Sequence, residues 1–234
     1  VDIDKSEMMK HTLHVDKAVW ADAKDFLEKV NEIAEDKVFN NQKWLDICQN
    51  WKHKYPVTLD RHWNNGGEFA NVFAFIKYLS DRLPEESYTA VSNGACCVVG
   101  HQNYTIKSGT RFIINSAIAS MGYGLPAAIG LCVADGRKDT ICLEGDGSIM
   151  MNLQELQTIV TNNLPIKLFL INNQGYHSIR LTQNNIFSEH SKVGIGPESP
   201  DLSFPEFSKI AEAFGFPYYS AHNNDDMKKV VDEV

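Results

Sequence analysis

Two short polar stretches carry the chemistry of this chain, Gly145-Asp146-Gly147-Ser148 and Asn172-Asn173. Asp146 and Asn173 lie 27 residues apart, and both offer hard oxygen donors. A carboxylate, an amide oxygen and nearby backbone carbonyls suit Mg²⁺, which keeps its other octahedral positions for water and phosphate oxygens. Glycines flanking Asp146 let backbone approach a phosphate closely. Ser148 can cap the following helix while its N–H points at the ligand. Taken alone, Asp between glycines is also what an ordinary strand-to-helix turn contains. The second stretch, at a matching position, is what turns the reading toward a metal-bound diphosphate.

Bringing the two together requires particular elements. Residues 140–144 read as a short buried strand, 149–163 as a helix, and Leu164-Pro165 as a break. Residues 166–171 then read as a second strand. Strand, helix and strand form a βαβ unit with a right-handed crossover. Asp146 and Asn173 then share the C-terminal edge of adjacent parallel strands, where open α/β sheets bind ligands. Strands at 88–91 and 111–115 and a helix at 122–134 extend the alternation. A helix marked by Phe69, Val72, Phe73, Ile76 and Leu79 precedes them and stops before Pro84. Ser203-Phe204-Pro205-Glu206 reads as a capping box for a helix to Phe214. A last strand at 217–220 and a helix from Asn224 complete the pattern. The expected class is α/β, a three-layer α/β/α fold on a mostly parallel sheet.

The stretch Gly122-Tyr123-Gly124-Leu125-Pro126-Ala127 also satisfies the dinucleotide fingerprint, with Asp146 about 20 residues beyond. A nicotinamide or flavin oxidoreductase is thus a rival. It leaves Asn172-Asn173 without a task.

Gly-Asp-Gly-Ser, this spacer and Asn-Asn together resemble the motif of thiamine-diphosphate enzymes. Met121 to Gly130 and Leu153-Gln154-Glu155-Leu156 are similar to the acetolactate synthase and 2-keto-acid decarboxylase branch. The resemblance implies the thiamine diphosphate-binding fold, with thiamine diphosphate and Mg²⁺ as cofactors. Asp146 and Asn173 would ligate the metal through side chains and Gly175 through its carbonyl. Gly145, Gly147, Ser148, Tyr176 and His177 would complete that end of the cofactor site. Ser92-Asn93-Gly94-Ala95-Cys96 matches the family's diphosphate loop in its distance to Met121. Asn93, Gly94, Ala95 and Cys96 are therefore expected to bind cofactor, although Ala95-Cys96 replaces the synthases' Gln-His. Two residues receive catalytic roles. Met121 would bend the cofactor so that its pyrimidine amino group approaches the reacting carbon, and the Ala119 carbonyl would accept a hydrogen bond from that amino group. His177 could shuttle a proton or simply face solvent or contact substrate.

The same resemblance bears on organisation. Residues 1–35 are similar to the tail of a preceding, middle domain: a strand stub at 1–7, then a helix with Ala23, Phe26, Leu27, Val30 and Ile33 on one face. Residues 36–65 read as a connecting segment whose helix carries Trp44, Ile47, Cys48 and Trp51. Residues 66–234 read as the cofactor domain, truncated at its C-terminus. Expected partners are the N-terminal pyrimidine-binding and middle domains, in a homodimer or homotetramer, with a small 2-keto acid as substrate. The glutamate that promotes ionisation of the pyrimidine would come from another domain, so this stretch is expected to be inactive alone. A cofactor-binding module without catalysis is the alternative. Residues 186–203, rich in Gly and Pro (Gly194, Gly196, Pro197, Pro200), are expected to form a mobile lid.

Composition narrows the rest. With 43% hydrophobic residues the chain can bury one substantial core. A net charge of −8 argues against nucleic acid or an anionic membrane as partner. The five cysteines form no C-x-x-C pair and read as free thiols, which fits a cytoplasmic setting.

Overall fold

The architecture comes from a computed structural model that describes residues 1–12, 14–199 and 201–234. The chain divides into two compact units, Val1–Tyr55 and Pro56–Val234. The first holds α1 (Lys5–Met8), α2 (Ala23–Ala34) and α3 (Gln42–Lys54). Asp22 caps α2, its carboxylate accepting the Lys24 N–H, and the expected apolar face follows. The expected strand at 1–7 does not form. Asp2 makes a single parallel bridge to Trp20, and the Asp4 side chain accepts the Ser6 N–H to start α1 instead.

The second unit carries the sheet. Its elements are α4 (Asp60–Trp63), α5 (Val72–Arg82), β1 (Tyr88–Val91), α6 (Ala95–Asn103), β2 (Arg111–Ile114) and α7 (Gly124–Ala134). They continue with β3 (Thr140–Gly145), α8 (Asp146–Ile149), α9 (Glu155–Asn162) and β4 (Ile166–Ile171). The last are α10 (His177–Ile186), α11 (Phe207–Phe214) and α12 (Asn224–Glu233). The four strands run in the order β2-β1-β3-β4, and every pairing is parallel. Period-two alternation splits their side chains between two cores. Val91, Ile141 and Leu143 pack with Ala74, Phe75 and Ile76 of α5, Cys96 and Val99 of α6, and Met227 of α12. Ala90, Cys142 and Ile166 pack on the other face with Leu125 and Ala128 of α7, Leu156 and Ile159 of α9, and Phe207 of α11. Helices on both faces of one parallel sheet make the three-layer α/β/α fold.

Several elements differ from the sequence expectation. The helix over 149–163 is two helices, α8 and α9, with a turn between them where Asn152 accepts the Glu155 N–H on its carbonyl. Residues 217–220 have no strand partner among the described residues. Ser203 makes no capping bond, because Pro205 removes a donor and α11 starts later, after Glu206. The segment expected to be a lid is exposed over 186–191 and packed around 195–199. Ile195 and Ser199 are buried, and the Ser199 hydroxyl accepts the N–H groups of Ile195 (2.9 Å) and Gly196 (3.1 Å). Pro200 lies outside the described residues.

Candidate cofactor site

The chain leaves β1 outward to β2, then returns past β1 to β3 and β4. The crevice beyond the carboxyl ends of β1 and β3 is therefore a topological switch point, the usual ligand position of such sheets. A cleft opens there with about 610 Å³ of atom-free space, counting its mouth. Three loops build it: Asn93 to Cys96 after β1, Gly145 to Ser148 after β3, and the turn carrying Asn173, Gly175, Tyr176 and His177 after β4. Met121, 42% exposed, and Ile179, 51% exposed, supply apolar wall.

Asp146 is 2% exposed and held by backbone donors. Its Oδ1 accepts the Gly147 N–H at 2.8 Å, and its Oδ2 accepts the Gly175 N–H at 3.1 Å. The second bond ties the β3 loop to the β4 loop. Burial raises the Asp146 pKa, while the amides of Gly147, Gly175, Gln174 and Asn173 oppose that rise. Asn173 Oδ1 is buried with no hydrogen-bond partner, and such an orphaned acceptor costs free energy unless something fills its coordination. The Gly175 carbonyl accepts the His177 N–H at 3.1 Å and keeps a second lone pair. Among the described residues no group of three or more His, Cys, Asp and Glu side chains gathers. The donor set here is one carboxylate with amide and backbone oxygens, the kind a hard cation such as Mg²⁺ takes. The residues present therefore fit the metal.

Close packing sets the loops. A Cβ on Gly147 would lie 2.3 Å from Tyr176 Cε1, so the Tyr176 ring covers that backbone. A Cβ on Gly175 would lie 2.0 Å from the Ile195 carbonyl oxygen. Behind the β4 loop, Tyr176 N–H donates to that same carbonyl at 3.2 Å. Arg180 Nη2 gathers the carbonyls of Gly196 (2.7 Å), Asn173 (3.3 Å) and Ile195 (3.4 Å). Ile195 and Gly196, within the segment read as a lid, thus back the β4 loop.

On the other side of the cleft, Gly94 with φ +72° turns the chain into α6. Ala95 and Cys96 then stand in the first turn, where N–H groups are free to meet an anion. Cys96 is buried, and burial raises its thiol pKa. The Ala119 carbonyl accepts a hydrogen bond from Asn93 Nδ2, so a protein donor already engages the oxygen assigned to the pyrimidine amino group. Ser148 does not cap α8. Its hydroxyl bonds the Ser92 hydroxyl at 2.7 Å and accepts the Gly122 N–H at 2.8 Å.

All expected site residues except Ala119 line the cleft, and Ala119 reaches it through Asn93. Sequence reading missed Arg180, Ile195 and Asn152. Arg180 stands seven residues after Asn173 on α10, and a long cation so near a predicted ligand was its one signal. The dinucleotide reading fails on geometry. Its fingerprint does not follow a strand directly, since β2 ends at Ile114. Protein atoms, moreover, cover the backbone at Gly122.

Residues 92–234 match the family described as thiamine pyrophosphate enzyme, C-terminal TPP binding domain. The chain is 29% identical to the acetolactate synthase large subunit of Porphyra purpurea, over 97% of this chain and 38% of that protein. It is 29% identical to the acetolactate synthase isozyme 2 large subunit of Escherichia coli K12, over 100% of the chain and 40% of that protein. For the chloroplastic acetolactate synthase 2 of Zea mays the figures are 31% identity, 93% and 34%. The chain thus spans little more than a third of the length of these relatives. The family match covers the β1, β3 and β4 loops and the cleft between them, and the chain belongs to the thiamine pyrophosphate enzymes, whose C-terminal cofactor-binding domain it carries.

Proposed function

We propose that this domain seats thiamine diphosphate through Mg²⁺, within an acetolactate synthase-like enzyme acting on 2-keto acids. The observation that carries the reading is Asn173 Oδ1, buried and unpartnered in the loop whose Gly175 N–H reaches the Asp146 carboxylate. Asp146 and Asn173 would hold the metal through side chains, and Gly175 through its carbonyl. The first amides of α6 would receive diphosphate oxygens. Met121 would support the bent cofactor, while Met121 and Ile179 keep water from the reacting carbon. The chemistry expected of the bound cofactor is 2-keto-acid decarboxylation, with or without transfer of the remaining unit to an acceptor carbonyl. That makes the whole enzyme a transferase or a lyase.

Asp146 is the sole carboxylate lining the described cleft, and in this reading it would be committed to the metal. We assign the proton-moving carboxylate at the pyrimidine to another domain, brought by a homodimer or homotetramer in the cytoplasm.

Calorimetry tests the clamp. Thiamine diphosphate should bind the chain with Mg²⁺ and lose most of its affinity in EDTA, and Asp146→Ala should abolish the metal-dependent part. Equal affinity with and without Mg²⁺ would remove the clamp from the reading.

A further inference from the structure

Met121 owes its place to two side chains from the β3 loop and the turn behind it. Gly122, the next residue, has φ +77° and is gripped on both polar groups. Its N–H donates to Ser148 Oγ at 2.8 Å, and its carbonyl accepts from Asn152 Nδ2 at 2.8 Å. A Cβ on Gly122 would lie 2.6 Å from Met151 Cβ and 2.8 Å from Asn152 Nδ2, so the turn is pressed against its clamp. Asn152 is itself held. Its N–H donates to the Ile149 carbonyl at 3.1 Å, and its Oδ1 accepts from Gln154 Nε2 at 3.4 Å. A methionine side chain has three rotors and fixes nothing by itself. Its height in the cleft must come from its backbone, and that backbone is referenced to the segment that begins at Asp146.

From this we infer that Asn152 is a positioning residue, a spacer between the metal-binding end of the cleft and the apolar support at Met121. The inference rests on the cofactor reading above, and it deepens it. A thiamine diphosphate molecule spans both ends, so the distance between Asp146 and Met121 must match the ligand. Only a side chain that donates at this position serves. Aspartate has the same shape and cannot donate to a carbonyl.

Asn152→Asp and Asn152→Ala in the full 234-residue chain test the spacer, the first guarding against a failure of the second to fold. Without ligand, amide exchange should accelerate about tenfold over residues 119–124 and stay unchanged over 92–96 and 173–176. With Mg²⁺, thiamine diphosphate should weaken about tenfold, the scale of one hydrogen bond, while inorganic pyrophosphate keeps its affinity. Combining Asn152→Ala with Met121→Ala should cost no more than Met121→Ala alone, a coupling that general destabilisation does not produce. Unchanged exchange, equal weakening of pyrophosphate, or additive effects would each overturn the assignment. Wild-type chain that binds neither ligand would defeat the cofactor reading, and the exchange arm would still decide the clamp.

Discussion

Single side chains in this fold are fixed by what their neighbours donate. His62 shows it away from the cleft. Its Nδ1 accepts the Leu59 N–H at 3.1 Å, and its ring stacks on Phe73 with centroids 4.5 Å apart. Burial and then the charge of Arg61 lower its pKa from 6.5. Protonation would remove the acceptor, so the unfolded chain takes the proton first. Stability attached to His62 is therefore present at neutral pH and is lost as pH falls through 6.5 and the lowered folded value. An NMR titration should place the His62 midpoint below 6.5, and a midpoint above it would contradict the packing. The metal-ligand candidates are a different case, legible before any fold was known. Asp146 and Asn173 are polar residues at the ends of apolar runs, where burial is costly unless a ligand needs them. Asn152 gave no such signal, because an Asn in a turn is common and its partner, Gly122, is thirty residues away.

At the level of elements, all four strands of the sheet were readable, since each is a short, largely apolar run bounded by turn residues. The differences fall where tertiary contact overrides local pattern. Residues 217–220 have strand-like composition and no neighbour to pair with among the described residues. Residues 186–203 lack periodicity, yet Ile195 fills a buried position and its carbonyl serves the β4 loop. Local sequence cannot report a role defined by a remote backbone atom. Gly175→Ala measures how firm that backing is. The added Cβ would meet the Ile195 carbonyl oxygen at 2.0 Å, backbone that cannot swing away. We expect a loss of about 1–3 kcal/mol in thermal or urea unfolding, together with weakened Mg²⁺-dependent cofactor binding. Wild-type stability would show that the strap yields freely.

For the whole molecule, the two-core arrangement decides which thiols can be reached. Cys96, Cys132 and Cys142 are buried within it, whereas Cys48 and Cys97 are partly exposed. Burial also raises the pKa of Cys97. A thiol reagent at neutral pH should modify Cys48 and, more slowly, Cys97, with the other three reacting only after denaturation. Fast labelling of Cys96 in the native chain would mean the cleft is looser than described. No helix among the described residues is long and apolar enough to cross a membrane. The closing property concerns time rather than space. A ribosome delivers β1, β3, Asp146 and Asn173 before it delivers Ile195 and Ser199. A nascent chain halted between them exposes both candidate ligand oxygens with nothing behind the loop that aims them. If these oxygens hold the cofactor's metal, capture is expected to wait for the stretch after α10 to leave the exit tunnel. In translation the seat is completed from behind, by residues that never face what it holds.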